Sequence, residues 1–544
     1  MPPCPPPQNV DNGVDFDDAV EMTTQLKKDP VKPKVKTGMF ANTFHWELNL
    51  YSFSTLGFIY YMLPEDYRIV MKVLFGLIAV DALRYYQKKG SMAGVPYTLP
   101  FVTLFAMLIK PVRFWAEMAN IAMASESGIC TNTLVGNFLL FVVDPKLCRD
   151  ILTGEGTFGV YAHPNAMWLF GPKNLIYLDK EPHKAFRSIL TPALFSNQAL
   201  ELYAKSQEMV VRKYMMKYSN ECKETKKPVD LRIAFRTMAA AASQEAFLGP
   251  YITDEDRIHL EQDILTFTLG FLCIPFPYLG TGLHKAIQAK DRIEATIRAI
   301  VPKAREYVQA GNEPRCMMEH WALSIMAAAK ELGVDPQEVP CCHDDDMART
   351  VLDFLFAAQD ATNSALTYAA DVLEARPDVM EKVTQEVESI LGTGAKDAWA
   401  KVRDAECLPY TAKVANQLLH HKPPVPMIPH ITKKATKLGG HPIGPGTVTI
   451  PSIFYSARVS GASTEFIPER EDADPLFVKC VTFGGGQHKC PGRRYAESLL
   501  TVFLAIVSAN YRFERVGPRP DDDDFIYFPT LFPSSNDFLI KERA

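Results

Sequence analysis

No uninterrupted apolar run near the start of this chain reaches the ~20 residues that a comfortable bilayer-spanning helix needs. Leu48 to Leu63 gives sixteen residues without a charge, bounded by Glu47 and Glu65. After Pro64-Glu65-Asp66, Ile69 to Val80 is apolar apart from Lys72. A basic surplus is also missing: 58 Lys and Arg stand against 63 Asp and Glu, a net charge of −5. That balance excludes the broad positive field of a nucleic-acid binder. Paired cysteine spacing is absent too, since eleven cysteines, an odd number, are scattered along the chain. The pattern argues against a secreted disulfide framework and for a reducing compartment. Adjacent Cys341 and Cys342 before His343 fit tetrahedral ligation poorly, and no second Cys/His pair follows, so no metal is expected there. No signal peptide is expected at the start, and no internal repeat or flexible linker interrupts the later chain.

What remains is a long chain, 47% apolar, able to bury a large core. Residues 1–42, rich in Pro, Asp and Lys with few large apolar groups, read as a disordered tail. Residues 43–90 read as a membrane-associating hydrophobic segment, because aromatic residues cluster there and Arg84, Lys88 and Lys89 follow. Residues 91–544 read as one large domain, mainly α with small β-sheets. Amphipathic segments fall at about 197–218, 230–248, 254–270, 282–309, 313–332, 345–375, 377–391, 408–421 and 491–509. Thr447-Val448-Thr449-Ile450 is a short β-like piece between the last helices.

The richest chemistry lies in Phe483-Gly484-Gly485-Gly486-Gln487-His488-Lys489-Cys490-Pro491-Gly492, which precedes a helix-forming run. Pro491 suits a first helical turn. Cys490 therefore stands at a helix N-terminus, where free amides and the dipole favour a thiolate. The glycines allow a tight bend and a close approach to a flat ligand, and Lys479, His488, Lys489, Arg493 and Arg494 crowd the spot. Without context, one Cys in a glycine turn reads as a buried structural cysteine. Here every fixed position of Phe-x-x-Gly-x-x-x-Cys-x-Gly is present, and the segment resembles the haem-binding loop of the cytochrome P-450 family. The resemblance extends over about residues 94–540. It implies that Cys490 is the axial ligand of haem iron, whose electron density favours O–O cleavage. It also implies that Phe483 packs on the sulfur side, that Gly486 and Gly492 keep the loop close to the ring, and that His488 bonds a haem propionate.

Other segments carry the same resemblance. His183 and Arg187, four residues apart on one helical face, match a pair of propionate donors; a surface cation pair is the alternative. His430 falls where many members place another such donor. Within the long helix 345–375, Ala357-Ala358-Gln359-Asp360-Ala361-Thr362 is similar to Ala-Gly-x-Asp/Glu-Thr-Thr. The likeness implies that Asp360 and Thr362 relay the protons that oxygen cleavage consumes. Ala361 replaces the first hydroxyl, and one residue along a helix is a turn of about 100°, so which hydroxyl faces oxygen stays open. Asp360 on an exposed polar face is the rival reading. Arg470, in Phe466-Ile467-Pro468-Glu469-Arg470, matches an arginine that braces the haem-side core. Its usual Glu-x-x-Arg partner is replaced by Gln417 and His420, a swap that leaves the net charge unchanged.

Two stretches, Phe354 to Thr362 and Lys422 to His430, resemble the sterol C-22 desaturase branch. That branch implies a C-22/C-23 double bond placed in a sterol side chain, with Phe354, Ala358, Val425, Met427 and Ile428 lining the pocket or simply filling the core. The implied cofactor is haem b. Electrons are expected from NADPH through a membrane flavoprotein reductase docking over the basic residues around Cys490. The expected location is the endoplasmic reticulum membrane, with the catalytic domain facing the cytosol and no nucleic-acid partner. Another sterol or lipid oxidase, such as a 14α-demethylase or a hydroxylase, is the nearest rival, although demethylases usually carry His where this chain has Asp360. The altered Gln417/His420 pair also admits a non-catalytic haem or sterol binder.

Overall fold

The structure, a computed structural model, describes residues 43–543 apart from 135, 162–163, 172–173, 179, 340–341, 403–406, 462–464, 471–481, 522–524 and 529. The tail 1–42, Cys341 and Lys479 lie outside the described residues. The main helices are α1 (Phe44–Met62), α2 (Glu65–Lys89), α3 (Pro100–Ile109), α4 (Pro111–Ala124), α5 (Lys180–Phe195), α6 (Asn197–Thr225) and α7 (Leu231–Leu248). They continue with α8 (Asp254–Gly270), α9 (Gly282–Gln309), α10 (Met317–Leu332), α11 (Asp344–Ala375), α12 (Pro377–Leu391), α13 (Pro409–His421) and α14 (Arg493–Asn510). Shorter helical pieces, among them Pro145–Thr153, lie between these.

Local chemistry sets the ends. Thr253 and Asp256 form a reciprocal capping box that starts α8. Asp344, Asp345 and Asp346 fill the first turn of α11, where carboxylates complement the helix dipole. Asp345 also pairs with Arg298 of α9 at 2.5 Å, and Asp344 with Arg305. These acids are therefore helix-start groups. Among the described residues no His, Cys, Asp and Glu group could hold a metal ion. Pro377 at the first position of α12 stops α11 at Ala375.

α11 runs through the centre of the main core, packed by α7, α8, α9, α12, α13 and α14. Beside it lies a five-stranded sheet ordered β1 (Ile129–Leu134), β2 (Asn137–Val142), β8 (Val448–Pro451), β5 (His430–Thr432) and β3 (Phe158–Val160). Only the β2–β8 pairing is parallel. This sheet fixes His430 at the start of β5, opposite Thr449. Among the described cysteines seven are free and Cys407 is disulfide-bonded.

Along most of their length α1 and α2 leave large apolar groups exposed, including Tyr51, Phe58, Tyr61, Ile69 and Leu77. No helix among the described residues is long and apolar enough to cross a membrane. The start of α1 is nevertheless tied down. His45 and Glu117 of α4 are buried, with the ring Nδ1 2.7 Å and the backbone N–H nitrogen 3.1 Å from the carboxylate. Removing a buried carboxylate that carries two such bonds costs about 2–3 kcal/mol. The Glu117→Ala protein is accordingly expected to melt earlier and to be cleaved sooner within α1 under limited proteolysis.

Candidate haem-thiolate site

The loop before α14 is shaped by its glycines. Gly486 has φ +59°, and a Cβ there would sit 3.0 Å from the Leu152 carbonyl, so both conformation and space demand glycine. A Cβ on Gly492 would meet nothing nearer than the Cys490 Sγ, at 4.0 Å. The Cys490 N–H donates to the Phe483 carbonyl at 2.7 Å, closing the loop on itself. Arg493 lies over the Phe483 ring, 5.6 Å from its centroid.

Cys490 has accessible surface, yet protein surrounds it on most sides. Burial pushes its thiol above the ordinary range; the Gly492 amide, Arg187 and Arg493 oppose that. The helix-start effect expected from the sequence is thus present but outweighed by desolvation.

Four donors from three parts of the chain gather around the loop. His183 and Arg187 come from α5, His430 from β5 and His488 from the loop itself. The His183 and His488 rings lie 4.7 Å apart, and Arg187 reaches the Gln487 carbonyl at 3.4 Å. Burial lowers His183 to about 4, with His488 and Arg187 adding to the effect. His430 is also lowered to about 4 by burial, against the bond between its Nδ1 and the Ile428 carbonyl at 2.8 Å. Burial lowers Arg187 as well, while the nearby Cys490 charge acts the other way. The His183 Nε2 is buried without a partner, and none of His183, Arg187 and His430 ion-pairs with a carboxylate among the described residues. Polar groups so arranged are costly unless an anion meets them. A thiol ligand beside donors lacking an anion fits an iron porphyrin bearing carboxylates.

Above the loop, α11 shows accessible surface in an otherwise buried helix. Asp353, Phe354, Phe356, Ala357, Ala358, Asp360 and Ala361 retain it, and Phe354 meets Phe247, whose ring in turn meets Tyr495 in the first turn of α14. Ala361 lies on this ridge, and Thr362, buried, is turned off it. Asp360 is not a solvent-facing residue. It pairs with Arg236 of α7 at 2.9 Å, both side chains less than a fifth exposed. The Arg236 Nη2 and both amide atoms of Gln359 are buried without hydrogen-bond partners among the described residues.

Of the residues proposed for the pocket, Phe354 meets Phe247 edge to face at 6.5 Å, and Ile428 comes near Gly484 of the loop. Met427 is buried in the core beside the five-stranded sheet, and Val425 is 37% exposed. In the brace, Gln417 and Arg470 both donate to the Glu465 carbonyl, each at 3.4 Å, and Arg376 holds the next carbonyl, Phe466, at 2.7 Å. Backbone carbonyls thus take the place of a carboxylate. His420 is half-buried at the end of α13. Replacing Gln417 by Ala removes its bond to the Glu465 carbonyl along with its other contacts, each neutral bond being worth about 1 kcal/mol. The expected result is a slightly lower melting temperature with haem content retained.

Sequence reasoning missed Arg236 as the partner of Asp360, because 124 positions separate them. It also passed over Asp353 and Asn174, joined at 2.6 Å. An acid inside the otherwise apolar run Val351 to Ala358 was the available signal.

A buried-loop thiol, its ring of donors and the acid-bearing helix above it define a haem-thiolate protein. The Cytochrome P450 family model matches residues 98–534, and the chain belongs to that family. It is a cytochrome P450 monooxygenase. The chain is 30% identical over 476 residues to "Cytochrome P450 710A4" of Arabidopsis thaliana, covering 85% of this chain and 94% of that one. It is also 30% identical over 481 residues to "C-22 sterol desaturase ERG5A" of Gibberella zeae, covering 84% and 88%. Among solved structures it resembles retinoic acid-bound cyanobacterial CYP120A1, with a TM-score of 0.61 at 20% identity, over 76% of this chain and 91% of that one. That likeness concerns the fold alone.

Proposed function

We propose that this monooxygenase is a sterol C-22 desaturase. The reading is carried by its similarity, over most of its length, to relatives bearing that name. The stretches Phe354 to Thr362 and Lys422 to His430, which resemble that branch and in this reading line a substrate chamber beside the Cys490 loop, support it. In the net reaction, dioxygen, two electrons and two protons take one hydrogen from each of C-22 and C-23. The products are an alkene and two waters. Haem b, held by Cys490 with His183, Arg187, His430 and His488 on its carboxylates, supplies the binding and cleavage of dioxygen. The Asp360 carboxylate, steered by Arg236, is the group that takes up and hands on protons beside α11, and Thr362 is the nearest hydroxyl in sequence to share that relay. Apolar side chains along that ridge exclude water from the reacting carbon.

Electrons come from NADPH through a membrane flavoprotein reductase meeting the basic residues Lys489, Arg493 and Arg494. The exposed apolar groups of α1 and α2 associate with the endoplasmic reticulum bilayer, where the sterol and the reductase also reside, and the catalytic domain faces the cytosol. The test is turnover by the purified holoenzyme with reductase, NADPH and a sterol having a saturated side chain. A new side-chain alkene is expected. A hydroxylated or demethylated product would overturn the desaturase reading, and sterol binding without oxygen consumption would favour a non-catalytic binder.

A further inference from the structure

We propose that Asp353 and Asn174 form the recognition point for a hydroxyl at the end of the substrate remote from the reacting carbon. The inference rests on the sterol reading above and names the polar contact that orients such a substrate. Asp353 projects from α11 two turns before Ala361 and one before Ala357, so all three lie near one ridge. The rise from Asp353 to Ala361 is roughly 12 Å, a separation suited to a fused-ring skeleton with its polar group at one end and its oxidised side chain at the other.

The two side chains are placed for this role. The Asn174 Oδ1 accepts from the Ile176 N–H at 2.9 Å, which fixes the amide. Its Nδ2 donates to one Asp353 oxygen at 2.6 Å. Among the described residues the other Asp353 oxygen has no hydrogen-bond partner, and no cation pairs with the carboxyl. The Asp353 side chain keeps some accessible surface, and one turn on, Phe356 of α11 sits within a cluster of Phe170, Phe267 and Phe271 rings that offers an apolar surface for a fused-ring skeleton. Burial pushes the Asp353 carboxyl well above the usual carboxylate range, and the nearby Glu294 charge acts in the same sense, against the Asn174 amide. A protonated carboxyl both donates and accepts, and so suits a neutral hydroxyl better than a cation. In a dry chamber, a ligand without that hydroxyl leaves the group unmatched.

The test measures binding to the holoenzyme through the change in its haem absorption band. The probes are a 3-hydroxysterol and the same sterol with hydrogen in place of the hydroxyl. The native protein should prefer the hydroxysterol about tenfold. Asp353→Leu should abolish that preference by weakening the hydroxysterol alone, whereas Asp353→Asn, which still donates and accepts, should keep most of it. If Asp353→Leu does not take up haem, Asn174→Ala serves in its place, with the same selective loss expected. Equal weakening of both ligands, or an undiminished preference in Asp353→Leu, overturns the role of Asp353 and leaves the sterol reading intact. If the native protein binds neither sterol, the substrate reading itself falls and this inference with it.

Discussion

The Cys490→Ser protein is expected to lose turnover by a factor on the order of 10³ or more. Metal-centred charge stabilisation contributes several kcal/mol to the transition state, and here it depends on an anionic sulfur. Burial holds the thiol up, and the Gly492 amide with Arg187 and Arg493 offsets only part of that. The iron must supply the rest of the driving force for ionisation. A serine hydroxyl is a far weaker acid than a thiol, so the same surroundings do not make it a comparable ligand. The fold should tolerate the change, because serine is close to cysteine in size and the backbone bond from residue 490 to the Phe483 carbonyl is retained. Product formation and the absorption spectrum of the variant check this together. Native-level turnover with an unaltered Soret band would refute it.

The second large effect is expected at Asp360. Asp360→Asn should slow turnover about 100-fold, in the range typical of a lost proton-transfer group, with sterol affinity nearly unchanged and a larger solvent isotope effect. The amide keeps the shape and can still meet Arg236, so loss of folding does not account for such a result. Arg236→Leu should act differently. It strands a buried carboxylate, at a cost of about 3 kcal/mol or more, and is therefore expected to lower the melting temperature as well as the rate. Thr362→Ala should matter less than Asp360→Asn, because Thr362 is buried while its neighbour Ala361 keeps accessible surface. Steady-state kcat and KM for the three variants, with thermal melts, distinguish these outcomes.

Much of the helical framework was readable because local rules and tertiary packing agree. The segments read at 254–270, 282–309 and 377–391 match α8, α9 and α12 end for end, where Thr253, Thr281 and Pro377 provide local start signals. The segment 197–218 was read too short; α6 continues to Thr225. Nothing in the exposed stretch Ser219 to Thr225 carries a strong apolar period, although Ser219 and Cys222 bury one face. The helices α3 and α4 were not among the segments read from the sequence.

At the site, the loop 483–492 was legible because its fixed spacing combines conformational and chemical requirements in ten residues. The convergence of His183, Arg187, His430 and His488 was expected from resemblance, and the structure places them around one loop. Pairings across the chain were not legible. Asp360 with Arg236, Asp353 with Asn174 and His45 with Glu117 are each more than 70 positions apart. A single sequence holds no record of which polar residue meets which. The brace shows the same limit: the substitutions at 417 and 420 were visible, but their replacement by bonds to the Glu465 and Phe466 carbonyls was not.

The visible spectrum of the reduced protein under carbon monoxide bears most directly on the sulfur–iron bond. A Soret band at the long-wavelength position of thiolate-bound haem is the predicted result. A band at the shorter wavelength of a nitrogen-bound haem, or protein that stays colourless when made with ample haem, would contradict it.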